Sequence, residues 1–135
     1  MARLKWLSNK LRLPIVAAGT DDAYALISSD DQLMSRFRVV EIPRWIDGQN
    51  YRNLLAGFEA TLPLRHASDL DEDNLAGKLL ELSDGLIGEL HNLLKVAAKK
   101  AIADGGEKIT VKLINEILRN GGYVPPSQWG YREEL

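Results

Sequence analysis

The run Pro14-Ile15-Val16-Ala17-Ala18-Gly19-Thr20-Asp21-Asp22-Ala23 constrains this chain more than any other stretch. Ile15 to Ala18 are apolar without alternation, the pattern of a strand covered on both faces, and Gly19-Thr20 breaks the run where such strands meet ligand. Asp21 or Asp22 can then cap a helix through Ala23, Leu26 and Ile27, and Ser29 or Asp30 can restart it toward Leu33 and Met34. Ser35-Arg36-Phe37 presents an arginine at that helix's end. The next run, Val39-Val40-Glu41-Ile42, is short and β-branched, and Pro43 closes it. The connection between the two runs is long enough for a helical crossover, so the sequence predicts two parallel strands. That is half of a nucleotide-binding unit.

The other half is missing from the sequence. Gripping a phosphate takes clustered glycines, whose backbone N–H groups can approach the oxygens, with a lysine behind them. Here Gly19, Gly48, Gly57, Gly77, Gly85 and Gly88 stand apart, while Gly105-Gly106 and Gly121-Gly122 lie where helices are expected to end. No nucleotide hydrolysis is therefore expected of this chain alone. Its 135 residues can bury one modest core, and 45% hydrophobic with 27% charged residues is the balance of a soluble globular protein. A formal net charge of −2 gives no overall attraction to nucleic acid or anionic lipid, and the absence of cysteine excludes disulfides and thiolate metal sites. Met1-Ala2-Arg3-Leu4-Lys5 lacks the apolar core of a signal peptide and no window approaches a membrane span, so the expected location is cytoplasmic, with no membrane partner.

The remainder reads as helices. Leu4, Leu7 and Leu11 recur at helical spacing with Arg3, Lys5, Lys10 and Arg12 mostly opposite, an amphipathic helix with a solvated basic face. After Trp45 the pattern turns helical again. Asn50 or Asp47 starts a helix carrying Tyr51, Leu54, Leu55 and Phe58, which Pro63 ends. Asp69 or Asp71 caps another through Leu75, Leu79, Leu80 and Leu82, with Gly85 as its stop. A long segment runs from Leu86 to Ile102, and Thr110 caps a last helix using Leu113, Ile114, Ile117 and Leu118. Four consecutive amphipathic helices with short loops predict a compact bundle with Leu54, Phe58, Leu79, Leu90, Leu94 and Ile117 buried. The tail from Tyr123 to Leu135 is expected to be extended.

Few residues offer chemistry. His66 and His91 are the only histidines and lie far apart in sequence, whereas a metal site needs three or four convergent ligands. Asp21-Asp22, Asp30-Asp31 and Asp71-Glu72-Asp73 all fall at helix starts, where carboxylates answer the unsatisfied N–H groups and the dipole. Thr20 and Arg36 remain. A hydroxyl at the end of a buried strand can orient a water or terminal phosphate, and an arginine at the next helix end can reach a phosphate across a subunit boundary. As structural residues the same two would be a turn or capping threonine and a surface ion-pair partner.

The order strand, Gly-Thr, helix, Ser-Arg-Phe, strand, Pro, four helices resembles the C-terminal part of an AAA+ ATPase. Pro14 to Thr20 resembles the strand ending in the sensor-one residue, which would be Thr20; Ser35-Arg36-Phe37 resembles the arginine-finger motif, which would make Arg36 the finger acting in trans. Gly85-Leu86-Ile87-Gly88-Glu89-Leu90 falls where the sensor-two helix of the lid begins, placing Gly85 and Gly88 near nucleotide. Ile42-Pro43-Arg44-Trp45 and Leu62-Pro63-Leu64-Arg65 add a likeness to the TniB and TnsC type of transposition regulators, spanning roughly residues 3 to 120. Two departures are the absent phosphate loop and magnesium-binding strand, and Gly88 where a sensor-two arginine usually stands.

The resemblance implies a mostly α chain with a small β remnant: a truncated AAA+ α/β core of two short strands at 1–46, a four-helix lid bundle at 47–122 and an extended tail at 123–135. It implies a C-terminal fragment of an ATP-dependent regulator that selects target DNA and recruits a transposase. No cofactor is expected in this chain, with ATP and magnesium belonging to the full-length relative. The implied partners are further copies of the chain in a homo-oligomer, a transposase, a target-selection protein, and DNA through the full assembly. The alternative is a small helical protein-interaction module derived from an AAA+ lid. Strand segments without their sheet neighbour leave unpaired backbone groups, so self-association through the N-terminal third is also expected.

Overall fold

The computed structural model describes residue 10 and residues 14–131, and divides the chain into two compact units, Met1–Glu41 and Ile42–Leu135. The basic helix expected around Leu4, Leu7 and Leu11 lies outside the described residues. Among the described residues every regular element is helical, so the chain is mostly α.

In the first unit, α1 spans Asp21–Ser28 and α2 spans Asp31–Met34, and the two pack together. Asp30 starts α2 as expected, its carboxylate accepting from Gln32 N and Leu33 N. The α1 N-cap position is Thr20 rather than Asp21 or Asp22. The two expected strands are not strands. Residues 14–20 and 37–46 are irregular, with Val16 95%, Val40 75% and Ile42 90% exposed. The β-branched, apolar composition of these segments suits a sheet, but a strand exists only by pairing its N–H and C=O groups with a neighbour. Helices close their hydrogen bonds locally and form regardless, which is why α1 and α2 are present without the sheet.

In the second unit, α3 is Gln49–Glu59, α4 Asp73–Ser83, α5 Ile87–Ala103 and α6 Val111–Arg119, followed by a 3₁₀ helix at Pro126–Tyr131 where an extended tail was expected. α5 is the centre of the bundle, packed against α4 and α6, and α4 also meets α6. One face of α5, with Leu90, Leu93, Leu94, Ala97, Ala98 and Ala101, is buried at the i, i+3, i+4 spacing of an amphipathic helix. Tyr51 and Leu55 of α3, Leu79 of α4 and Ile114 of α6 complete the core. Leu79, Leu90, Leu94 and Ile117 are buried as expected, while Leu54 and Phe58 are half-buried at its edge.

Side-chain caps and turns hold the ends. Thr110 Oγ1 accepts from Leu113 N at the start of α6. Helix α4 ends at Asp84 and Gly85, both in the left-handed region with φ of 51° and 67°. Glu59 accepts from Ser68 N and Leu70 N, and Ser68 Oγ in turn accepts from Ile109 N at 2.9 Å, so the long α3–α4 loop is tied to the segment before α6. The tail is anchored by Tyr123, whose hydroxyl donates to Leu82 O at 3.1 Å or Glu89 Oε2 at 3.2 Å.

Candidate functional site

Thr20 is exposed and has an extended backbone conformation. Its carbonyl accepts from Ala23 N at 2.9 Å and Tyr24 N at 3.2 Å, which opens α1, while its side chain makes no capping hydrogen bond. The neighbouring Gly19 lies over the first turn of α1, where an added Cβ would sit 2.5 Å from Ala23 Cβ. The Gly-Thr pair thus turns the incoming segment tightly into the helix and leaves the hydroxyl exposed.

Arg36 follows Ser35, the C-cap of α2. Its N–H and that of Phe37 both donate to Leu33 O at 2.9 Å, closing the helix in a turn around the buried Leu33. Its side chain is exposed. Thr20 and Arg36 therefore bracket the α1–α2 pair within one unit, one just before it and one just after.

Gly85 and Gly88 belong to the other unit and bracket the start of α5. Gly85 is buried with its carbonyl accepting from Trp45 N at 2.8 Å. A Cβ there would collide with the Trp45 carbonyl oxygen, and the positive φ already favours glycine. Gly88 is the opposite case. It is exposed in the first helical turn with open space around its Cα, so its lack of a side chain answers no packing demand. Glu89, the acidic residue of that turn, accepts from Tyr123.

Two polar clusters are not apparent from the sequence. Arg52 is held by Asp47 Oδ1 at 2.9 Å, Asp73 Oδ1 at 3.0 Å and the Asp71 carbonyl at 2.6 Å. These residues, with Gly48 and Gln49, line an open depression of about 470 Å³ at the start of α3. The hydrogen bond to Asp47 foremost keeps Arg52 more basic than usual. With its guanidinium committed on three sides, this arginine is a joint between α3 and the start of α4. Lys100 does the same between α5 and α6, pairing with Asp104 at 2.8 Å and Glu116 at 3.2 Å, and these bonds raise its pKa, Asp104 contributing most. Charge alternation marks such residues as solvated in sequence, and only the fold shows which carboxylates converge on them. Among the described residues no three or more histidine, cysteine or acidic side chains are grouped to hold a metal ion, and no helix is long and apolar enough to cross a membrane.

Burial dominates the two remaining shifts. It pushes the Tyr51 hydroxyl up to about 12, and it raises Tyr123, which Glu89 raises further. Neither is poised for proton transfer near neutrality.

Comparison with known families places the likeness in the N-terminal third: the family described as Bacterial TniB protein matches residues 1–47. The matched segment contains both Thr20 and Arg36 and ends where the helical unit begins its first helix, short of the residue-120 limit expected from the motifs. No curated protein and no solved structure matches the chain significantly. Over its first 47 residues, the chain is similar to the bacterial TniB family.

Proposed function

We propose that this chain is the C-terminal portion of an ATP-dependent DNA transposition regulator of the AAA+ class, not catalytic by itself. The observation that carries the reading is the TniB match across residues 1–47, because the two residues with a plausible role at a phosphate, Thr20 and Arg36, both fall inside it. In this reading Arg36 reaches the terminal phosphate of ATP held by a neighbouring subunit, where its guanidinium stabilises charge developing on the transferred group. Thr20 orients water or the same phosphate from its own subunit. Gly85 and Gly88 bring the start of α5 near the nucleotide, ATP and magnesium being held by the phosphate loop and acidic strand of the complete protein. The assembled homo-oligomer selects target DNA and recruits a transposase, with a target-selection protein as a further partner.

The exposure of Thr20 and Arg36 supports a role that is completed by another subunit, since neither is committed to the interior. The test is ATPase turnover in the complete, assembled protein carrying Arg36→Ala. A loss of about 10³-fold is expected from what arginine fingers contribute elsewhere. Unchanged turnover in an assembled variant removes the assignment.

A second reading is favoured by one observation. The unit Ile42–Leu135 has its own core, and a helical module of that kind can serve protein binding without any nucleotide. Loss of transposase or target-protein binding on mutating the bundle surface, with ATPase turnover unchanged by Arg36→Ala, favours it.

A further inference from the structure

We propose that Arg44 and Trp45 form a clasp on the α4–α5 turn, so that residues 44–47 belong mechanically to the helical unit and the articulation between the two units is confined to residues 38–42. Constraint on the chain rises abruptly at this point. Val39, Val40, Glu41 and Ile42 form no hydrogen bond, ion pair or ring contact among the described residues, and Val40 and Ile42 are largely exposed. Two residues after Ile42, the restraints begin. Arg44 Nη1 donates to the Asp84 carbonyl at 3.2 Å and pairs with the Asp84 carboxylate. Trp45 N donates to Gly85 O at 2.8 Å, and the Trp45 ring lies 6.4 Å from that of buried Tyr51. Asp47 then accepts from Arg52 of α3.

The receiving turn is shaped for this contact. Asp84 and Gly85 both adopt positive φ, which turns their carbonyls outward from the end of α4. At Gly85 a side chain would meet the Trp45 carbonyl oxygen, and its Cβ would also lie 3.1 Å from Arg44 Cβ and Trp45 N. Only glycine lets the incoming strand of chain approach this closely, so the clasp is written into Gly85 as well as into Arg44 and Asp84.

Amide hydrogen exchange on the full chain tests this. Trp45 N–H should be protected together with the core amides of α5, while the amides of residues 39–42 exchange close to the rate of an unstructured chain. Gly85→Ala, and separately Arg44→Ala, should speed exchange at Trp45 at least tenfold while leaving Leu93 and Leu94 protected. Gly85→Ala also strains the turn, so the paired variant Arg44→Asp with Asp84→Arg provides a second arm, expected to recover part of the Trp45 protection that Arg44→Asp alone loses. An unprotected Trp45 amide in the parent overturns the proposal. So does protection that survives both Gly85→Ala and Arg44→Ala, or residues 39–42 protected as well as Trp45.

Discussion

The two units of this chain are built on opposite principles. In the helical unit an interlocking core from Tyr51 to Tyr123 is closed by the chain's own side chains, and its helices satisfy their own backbone. In the N-terminal unit, Leu33 is the buried apolar side chain among the described residues, while Val16, Tyr24, Leu26, Val39 and Val40 are exposed. The TniB match, residues 1–47, covers this N-terminal unit and the first residues of the helical one, and both Thr20 and Arg36 fall inside it.

The largest expected consequence falls on function. In the complete assembly, Arg36→Ala should cost about 10³-fold in turnover and Thr20→Ala less, each lowering the melting temperature far less than a core substitution in α5, because both side chains are exposed. Thermal melts beside ATPase rates check both halves. If the variants melt early, the contrast between the units is wrong.

Stability should respond in the reverse pattern. Leu90→Ala or Leu93→Ala in α5 should cost about 2–5 kcal/mol by denaturant titration, since each side chain is buried to within 1% and leaves a cavity. Val40→Ala, at 75% exposed, should fall within about 0.5 kcal/mol of the parent. A comparable loss at both positions would erase the distinction.

Alkaline pH provides a finer probe of the bundle. The folded-state pKa of Tyr51 is raised to about 12 from an ordinary 10, and that of Tyr123 is also raised. The unfolded chain therefore releases these protons first. The stabilisation is complete below pH 10 and declines as pH rises through the folded-state value near 12, chiefly because burial disfavours the phenolate. Tyr51→Phe and Tyr123→Phe should each flatten the fall of stability above pH 10. A parent whose stability is level across that range contradicts the burial described for both hydroxyls. The smallest effect is expected at a cap: Thr110→Ala should cost about 1 kcal/mol by removing the acceptor for Leu113 N.

The helical half was legible because its information is local. The apolar spacing of Leu90, Leu93, Leu94, Ala97 and Ala98 fixes the buried face of α5, and Thr110 and Asp30 are caps recognisable by residue type and position. Helix α3 starts from Gly48 and stops at Ala60, before Pro63 is reached, and α4 starts from Glu72, so carboxylate-rich stretches located the starts only to within a few residues. The strand reading failed for a non-local reason. Ile15 to Ala18 and Val39 to Ile42 have strand composition, but composition states a preference that only a neighbouring strand can realise. For the candidate site, Thr20 and Arg36 rest on their motifs alone, and the structure adds that they stand before and after the α1–α2 pair. The clasp of Arg44 and Trp45 on Asp84 and Gly85 was not, because it joins positions forty residues apart. The one local trace of it was the Asp-Gly pair closing α4, a turn signal that does not say what the turn receives.

The contrast between the helical bundle and the N-terminal unit can be tested directly by light scattering with thermal melts on the full chain and on a version beginning at Ile42. The full chain should self-associate through the 15–18 segment of its N-terminal third, leaving residues 39–42 unprotected, and the shorter version should be monomeric and melt within a few degrees of the full chain. An unfolded short version, or a full chain that is monomeric while its residues 15–18 are protected from exchange, would contradict this.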